Sequence, residues 1–337
     1  MIRRTGERPP IAAAVHSRGG VRRWKLRPAA LSFDGSAGSP WLLVPPDVRK
    51  AFDAVAAAGI PLSETEFGPP LLGVKCGCNA AFLVSLDSHD SPDDDVARVR
   101  SIGPAAATRT GVVERWMLRP VVRGRTIPGW QTTPGSQRAA HAPQWILWTH
   151  ETADGVPDLP MRALPPAAAR WLAPWRHRLA ARSDTHGRGP WWALFRTDSA
   201  STRSPRVVWS DLGQVCRATV LPAGDPTVPL NSCYAVGAPS ETDAHALCAI
   251  INSPIAAAWL NVLAEPARGG FHRYLAWTVG LLPLPVNWAR ARAILGVIGG
   301  RIAGGSVPGR GELSEAVAAA YDLSAGALAP LLSWPEE

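Results

Sequence analysis

Leu71-Leu-Gly-Val-Lys-Cys-Gly-Cys-Asn-Ala-Ala-Phe-Leu-Val-Ser-Leu86 marks the point where the texture of this chain changes. A turn with two glycines and one lysine separates two short β-prone runs, LLGVKC and AAFLVSL. The same pattern continues downstream in GVVERWML, QWILWTH, WWALF, RVVWSDL, RATVLP and CYAVGA. Short apolar, β-branched and aromatic runs bounded by turn residues predict a sheet with connections of varied length. Upstream, residues 48–58 (VRKAFDAVAAA) carry helical spacing that stops at Gly59 before Pro61. Beyond Ser240, residues 241–263 again show helical spacing, and Pro254 is expected to bend that helix or divide it in two. Residues 288–302 and 312–321 predict further helices, and Ser324 is placed to cap a last one. The fold class expected is mixed α/β, of the α+β type. Its organisation is a basic, loosely ordered arm over residues 1–40, a β-rich mixed α/β body over 41–240 and a helical part over 241–337.

Composition agrees with a folded chain. Of 337 residues, 46% are hydrophobic and 18% charged, enough to bury a sizeable core. The net charge of +8 is unevenly placed. Residues 1–30 hold eight basic residues against Glu7, and residues 162–217 hold ten arginines against Asp184, Asp198 and Asp211. Such stretches suit phosphate contacts, which supply most non-specific affinity for DNA. The acidic cluster Asp87, Asp90, Asp93, Asp94 and Asp95 reads as a solvated loop. Fifteen tryptophans read either as stacking groups at nucleic acid or as core, and core is the more frequent use of large aromatics. Five cysteines at irregular spacing show no disulfide framework, and Cys76-Gly-Cys78 has no second close pair to complete a zinc site. No run approaches a membrane span and the basic N-terminus lacks an apolar signal region, so a cytoplasmic protein is expected.

Catalytic signatures are missing. Base-flipping amino-methyltransferases hold the extruded adenine with an Asn/Asp-Pro-Pro-Tyr/Phe motif. Pro-Pro occurs here at Pro9, Pro45, Pro69 and Pro165, never with those flanks, and Asn252-Ser-Pro-Ile lacks the second proline and the aromatic. The glycine-rich turn expected for S-adenosylmethionine is absent. None of Lys25, Lys50 and Lys75 has an acid two residues before it, which removes the common nuclease element. P-loop, HExxH and nucleophile-elbow patterns are absent too.

Two loops carry the positive signal. In Gly73-Val-Lys-Cys-Gly-Cys-Asn79, the glycines allow close backbone approach, Lys75 suits a phosphate and Asn79 a base edge. In Leu118-Arg-Pro-Val-Val-Arg-Gly-Arg-Thr-Ile127, Arg119, Arg123 and Arg125 are close enough in sequence to line one groove, with Gly124 letting the chain turn. Taken alone, these also read as a hairpin turn and an arginine-rich loop.

In order, GVKCGCNAAF (73–82), VVRGRTIPGW (121–130), WILW (145–148), PRVVWSD (205–211), LNSCYAV (230–236) and LCAIINSPIAAAWL (247–260), followed by LLPLP (281–285), resemble the C-terminal specificity region of Eco57I/TaqI-like adenine-N6 DNA methyltransferases. The resemblance runs over residues 41–288. It departs from the family at Cys76, where Thr is usual, and at Thr126, where Asp is usual. The resemblance implies a target-recognition subunit or fragment of a restriction-modification or phage-defence system, contacting double-stranded DNA. Asn79, Arg119, Arg123 and Arg125 would read sequence, Lys75 would neutralise a phosphate, and Arg206, Arg268 and Arg273 would hold phosphates. It implies no catalytic residue, metal or cofactor in this chain. The catalytic domain is expected on a separate methyltransferase chain, which would also bind S-adenosylmethionine. The alternatives are a former recognition domain that now binds only protein, and a chain classed with site-specific adenine methyltransferases solely through its relatives.

Overall fold

The computed structural model describes residues 9–17, 20–36, 38–88, 90–103, 108–127, 143–151, 158–183, 189–306 and 308–334. Trp130, the last residue of the second motif, lies outside them. The first described elements form an antiparallel hairpin, β1 (Ile11–Ser17) and β2 (Gly20–Leu26). A loosely ordered arm is the expectation for this region. Instead Arg22 pairs with Asp47 at 2.8 Å and Trp24 meets Trp334 edge-on at 5.7 Å, so side chains late in the strand tie the hairpin to the body.

Helix α1 (Pro46–Ala57) is followed by β3 (Gly59–Pro61), β4 (Leu71–Leu72), the one-turn helix α2 (Asn79–Phe82) and β5 (Leu83–Leu86). Then come β6 (Val96–Ser101), β7 (Thr110–Glu114), β8 (Leu118–Val122), β9 (Trp145–Leu147), β10 (His150–Glu151) and β11 (Leu159–Pro160). Helices α3 (Pro166–Leu172) and α4 (Arg176–Ala180) lead to β12 (Arg206–Ser210), β13 (Leu212–Gly213), β14 (Ala218–Leu221), β15 (Val228–Pro229) and β16 (Cys233–Gly237). The remainder is α5 (Glu241–Ile251), α6 (Pro254–Leu263), the hairpin β17 (Glu265–Ala267) and β18 (Phe271–Arg273), α7 (Ala276–Gly280), β19 (Pro283–Pro285), α8 (Trp288–Ala303), α9 (Arg310–Ala320) and α10 (Ala325–Leu332). The fold is α+β. Pro254 divides the expected helix into α5 and α6, which meet at 65°, and Ser324 caps α10 by accepting the Ala327 amide. Among the described residues no single helix is long and apolar enough to cross a membrane.

Two sheets carry most of the packing. The larger runs β15-β8-β9-β5-β6-β7, antiparallel except where β15 joins β8 in parallel. On β6 strict alternation buries Ala97, Val99 and Ser101 and leaves the other face to solvent. The buried face packs on α3, whose Trp171 Nε1 donates to the Ala81 carbonyl at 2.8 Å. The first free amides of α3, those of Ala167 and Ala168, are taken by the Glu114 carboxylate at 2.7 and 2.8 Å. The second sheet runs β14-β12-β16-β4. Its central strand β12 is buried throughout. Val207 and Trp209 face the helical core, where Phe52 stacks on Trp259 with centroids 4.7 Å apart. Val208 faces the other way, into a small cluster with Val122, Ile127 and Cys233. Period-two geometry puts Arg206 and Ser210 on that same face. The small cluster therefore locks the end of β8 against β12 and β16.

Most tryptophans that the structure describes serve this packing. Trp148, Trp171, Trp209 and Trp259 are buried, whereas Trp41, Trp116 and Trp277 are exposed. The acidic run is not wholly solvated either. Asp90 is bound by both terminal nitrogens of Arg115 at 2.9 Å, and this partner holds its carboxyl below the ordinary range.

Candidate functional site

The loop after β8 makes one short 3-10 turn, Gly124–Thr126. Thr126 closes it: its Oγ1 accepts the Arg123 amide and donates to the Arg123 carbonyl, both at 3.0 Å. An aspartate at 126 could accept that amide but, ionised, could not donate to the carbonyl. Gly124 is there for proximity rather than for a left-handed turn. A Cβ on it would lie 2.5 Å from Ser210 Oγ and 2.6 Å from the Ser232 carbonyl oxygen, and its amide donates to Ser232 Oγ at 3.1 Å.

That close approach creates an open groove of about 570 Å³. Arg123 and Arg125 line it together with Ser210, Asp211, Gln214, Arg217, Ser232 and Phe271. Burial and the adjoining Arg125 charge both pull the Arg123 guanidinium below its ordinary pKa. Its Nε is buried with no hydrogen-bond partner among the described residues. Burial raises the Asp211 carboxyl, with Arg273 acting against the rise. The groove thus gathers several arginines around one half-buried acid, an arrangement suited to a polyanion or to the acceptor edges of bases.

The other expected residues fall into three groups. Arg268 and Arg273 are exposed on the β17–β18 hairpin beside the groove. Lys75, on the adjoining loop, and Asn79, at the start of α2, are exposed but do not line it. That loop is rigid by construction. The Lys75 backbone pairs in both directions with Phe195 at 3.0 and 3.1 Å, and a Cβ on Gly73 would lie 2.1 Å from the Leu230 carbonyl oxygen. Gly77 has φ of 69° and lies under Arg182, which donates to the carbonyls of Cys76, Leu179, Trp191 and Ala193. Burial pushes the Cys76 thiol up to about 12, which makes it an inert packing group.

Arg119 and Arg206 differ from expectation. Arg119 lies 4.2 Å over the Trp148 ring and 3.7 Å from Asp158 Oδ2, away from the groove. Arg206 is 3% exposed, and its guanidinium donates to the carbonyls of Thr227 at 3.0 Å and Asp225 at 2.6 Å. The fold uses both internally. Conversely, Gln214, Arg217 and Phe271 are groove residues that the sequence reading passes over; the turn directly after PRVVWSD was the available signal for the first two, and Phe271 had none nearby.

Near Arg119, His150 is 4% exposed. Burial, with Arg119 adding to it, depresses its pKa from 6.5 to about 4. The unfolded chain therefore binds this proton more readily, and the stability present above pH 6.5 is lost as pH falls toward about 4. The loss attributable to this group is up to about 3 kcal/mol. We expect the melting temperature to fall across that window and His150→Gln to flatten the fall; an unchanged slope in the variant would contradict the assignment.

Among the described residues no group of three or more His, Cys, Asp or Glu is placed to hold a metal ion.

No known family's profile and no curated protein matches this chain. Among solved structures it is similar to the type IIL restriction-modification enzyme MmeI, solved in complex with DNA, with a TM-score of 0.48 and 12% identity. The match covers 81% of this chain and 35% of that one, so the chain spans about a third of the enzyme's length. The likeness is too distant to bear on function.

Proposed function

We propose that this chain recognises a DNA sequence on behalf of an adenine-N6 DNA methyltransferase or related restriction-modification system, and does not transfer the methyl group itself. One observation carries the reading. Three of the motifs that resemble the Eco57I/TaqI-like specificity region contribute Arg123 and Arg125, Ser210 and Asp211, and Ser232 to a single basic groove. In this reading Arg123 and Arg125 contact base edges or phosphates, Arg268 and Arg273 hold the flanking backbone, and Lys75 and Asn79 extend the contact. Residues 41–240 form the recognition domain, and the helices of 241–337 support it and dock the catalytic chain that binds S-adenosylmethionine.

The test is a salt titration of the purified chain on a short labelled mixed-sequence duplex. The logarithm of the binding constant is expected to fall linearly with the logarithm of salt concentration, by about 0.9 per phosphate neutralised. No binding, or a flat dependence, would overturn the proposal and favour a role confined to protein partners. Incubation with S-adenosylmethionine and DNA is expected to yield no methylated product; turnover by the chain alone would refute the division of labour.

A further inference from the structure

The basic groove has an apolar lip. Leu212, Val215 and Phe271, exposed by 41, 39 and 38%, line the groove together with Arg123 and Arg125. Arginine recognition of phosphate gives them no use, and a phenyl ring left in water beside cations gains only if something apolar covers it. Nucleobases present both kinds of surface: acceptor edges for guanidinium and a π face for an aromatic ring.

Phe271 is held as a wedge would be. In the β17–β18 hairpin Ala267 pairs with Phe271, leaving Arg268-Gly269-Gly270 as the loop. Both glycines are left-handed, with φ of 78° and 74°, and nothing lies within 4 Å of a Cβ built on Gly270. They therefore serve the tightness of the turn and leave its tip slim. Behind the tip, β18 is fixed to the groove wall by pairing of Leu212 with Arg273 and Gly213 with His272. The next residue, Tyr274, is fully buried, with its hydroxyl 2.6 Å from Asn261 Oδ1. Arg268 in the loop and Arg273 at the end of β18 place a cation before and after the ring along the hairpin.

We propose that Phe271 is a stacking wedge: it inserts at a base step of the bound duplex, so that the protein favours DNA whose stacking is already weakened. Insertion of an apolar side chain requires partial unstacking of the step, which a rigidly backed ring beside phosphate-binding arginines is suited to stabilise. The inference rests on the DNA-recognition reading and adds to it a preference for deformable steps.

The experiment compares the full chain on two otherwise identical short duplexes, one fully paired and one with a central T·T mismatch, by fluorescence anisotropy. Wild type is expected to bind the mismatched duplex about tenfold more tightly. Phe271→Ala should lose that preference, its affinity for the mismatched duplex falling to or below that for the paired one, and Phe271→Trp should retain the preference. The ring is partly exposed, so truncation leaves the melting temperature nearly unchanged. Equal binding of both duplexes by wild type, or a preference that survives Phe271→Ala, rejects the wedge and leaves DNA recognition standing. Failure of wild type to bind either duplex rejects both.

Discussion

An Arg206→Ala protein is expected to unfold about 2–4 kcal/mol more easily than wild type, because two half-buried carbonyls lose their donors and a buried side chain leaves a cavity. The Arg206 guanidinium lies in a fully buried strand and donates to Thr227 and Asp225. Burial pulls its pKa down to about 10, so holding the charge there is itself unfavourable and the net effect is smaller than the hydrogen bonds alone suggest. Arg206→Met restores volume without donors and should recover only part of the loss. Denaturant midpoints measure both. At a temperature where the variants are folded, their salt slope on DNA should equal that of wild type. A variant of normal stability whose slope is shallower by about one would instead make Arg206 a phosphate ligand.

The second large effect runs the opposite way. Replacing Arg123 and Arg125 together by alanine should leave stability within about 0.5 kcal/mol, since neither guanidinium supports a core contact. Affinity for DNA should fall about a hundredfold or more, at about 1–3 kcal/mol for each good contact. Relief of repulsion between the two neighbouring cations, and of the burial that depresses Arg123, leaves the variant slightly more stable if anything. Normal affinity in this variant would remove the groove from any role in binding DNA.

The contrast between Arg206 and Arg123 shows what the sequence can and cannot reveal. Both lie in motifs rich in valine and arginine. In Arg206-Val-Val-Trp-Ser210 the apolar run is the mark of a strand buried on both faces, a signal that the assignment of Arg206 to phosphate passed over. Arg123 follows the end of β8, where the run breaks at glycine, and it emerges in a groove. Arg119, four residues earlier, looks equivalent in sequence, yet long-range contacts with Trp148 and Asp158 bind it.

Element type was read more readily than element edges. Residues 241–263 and 324 behave as their proline and serine signals predict. The run Ala80-Ala81-Phe82 reads as the start of a strand but forms a turn of helix, as alanine favours. WWALF, expected as a strand, contributes only an isolated bridge from Phe195 to Lys75. The N-terminal hairpin was hidden because its basic strand offers little apolar alternation, and its anchors, Asp47 and Trp334, lie far away in sequence. The groove was the least legible feature. It depends on Gly124 meeting Ser232 across 108 residues, and no local pattern announces such a contact.

Sequence recognition is tested most directly by selection from a pool of random-sequence duplexes, with the bound fraction amplified and sequenced over several rounds. A discrete sequence is expected to be enriched by the wild-type chain, and the enrichment is expected to vanish for the chain in which Arg123 and Arg125 are both alanine. A pool that stays random after repeated selection, or the same sequence emerging without these two arginines, would contradict the account.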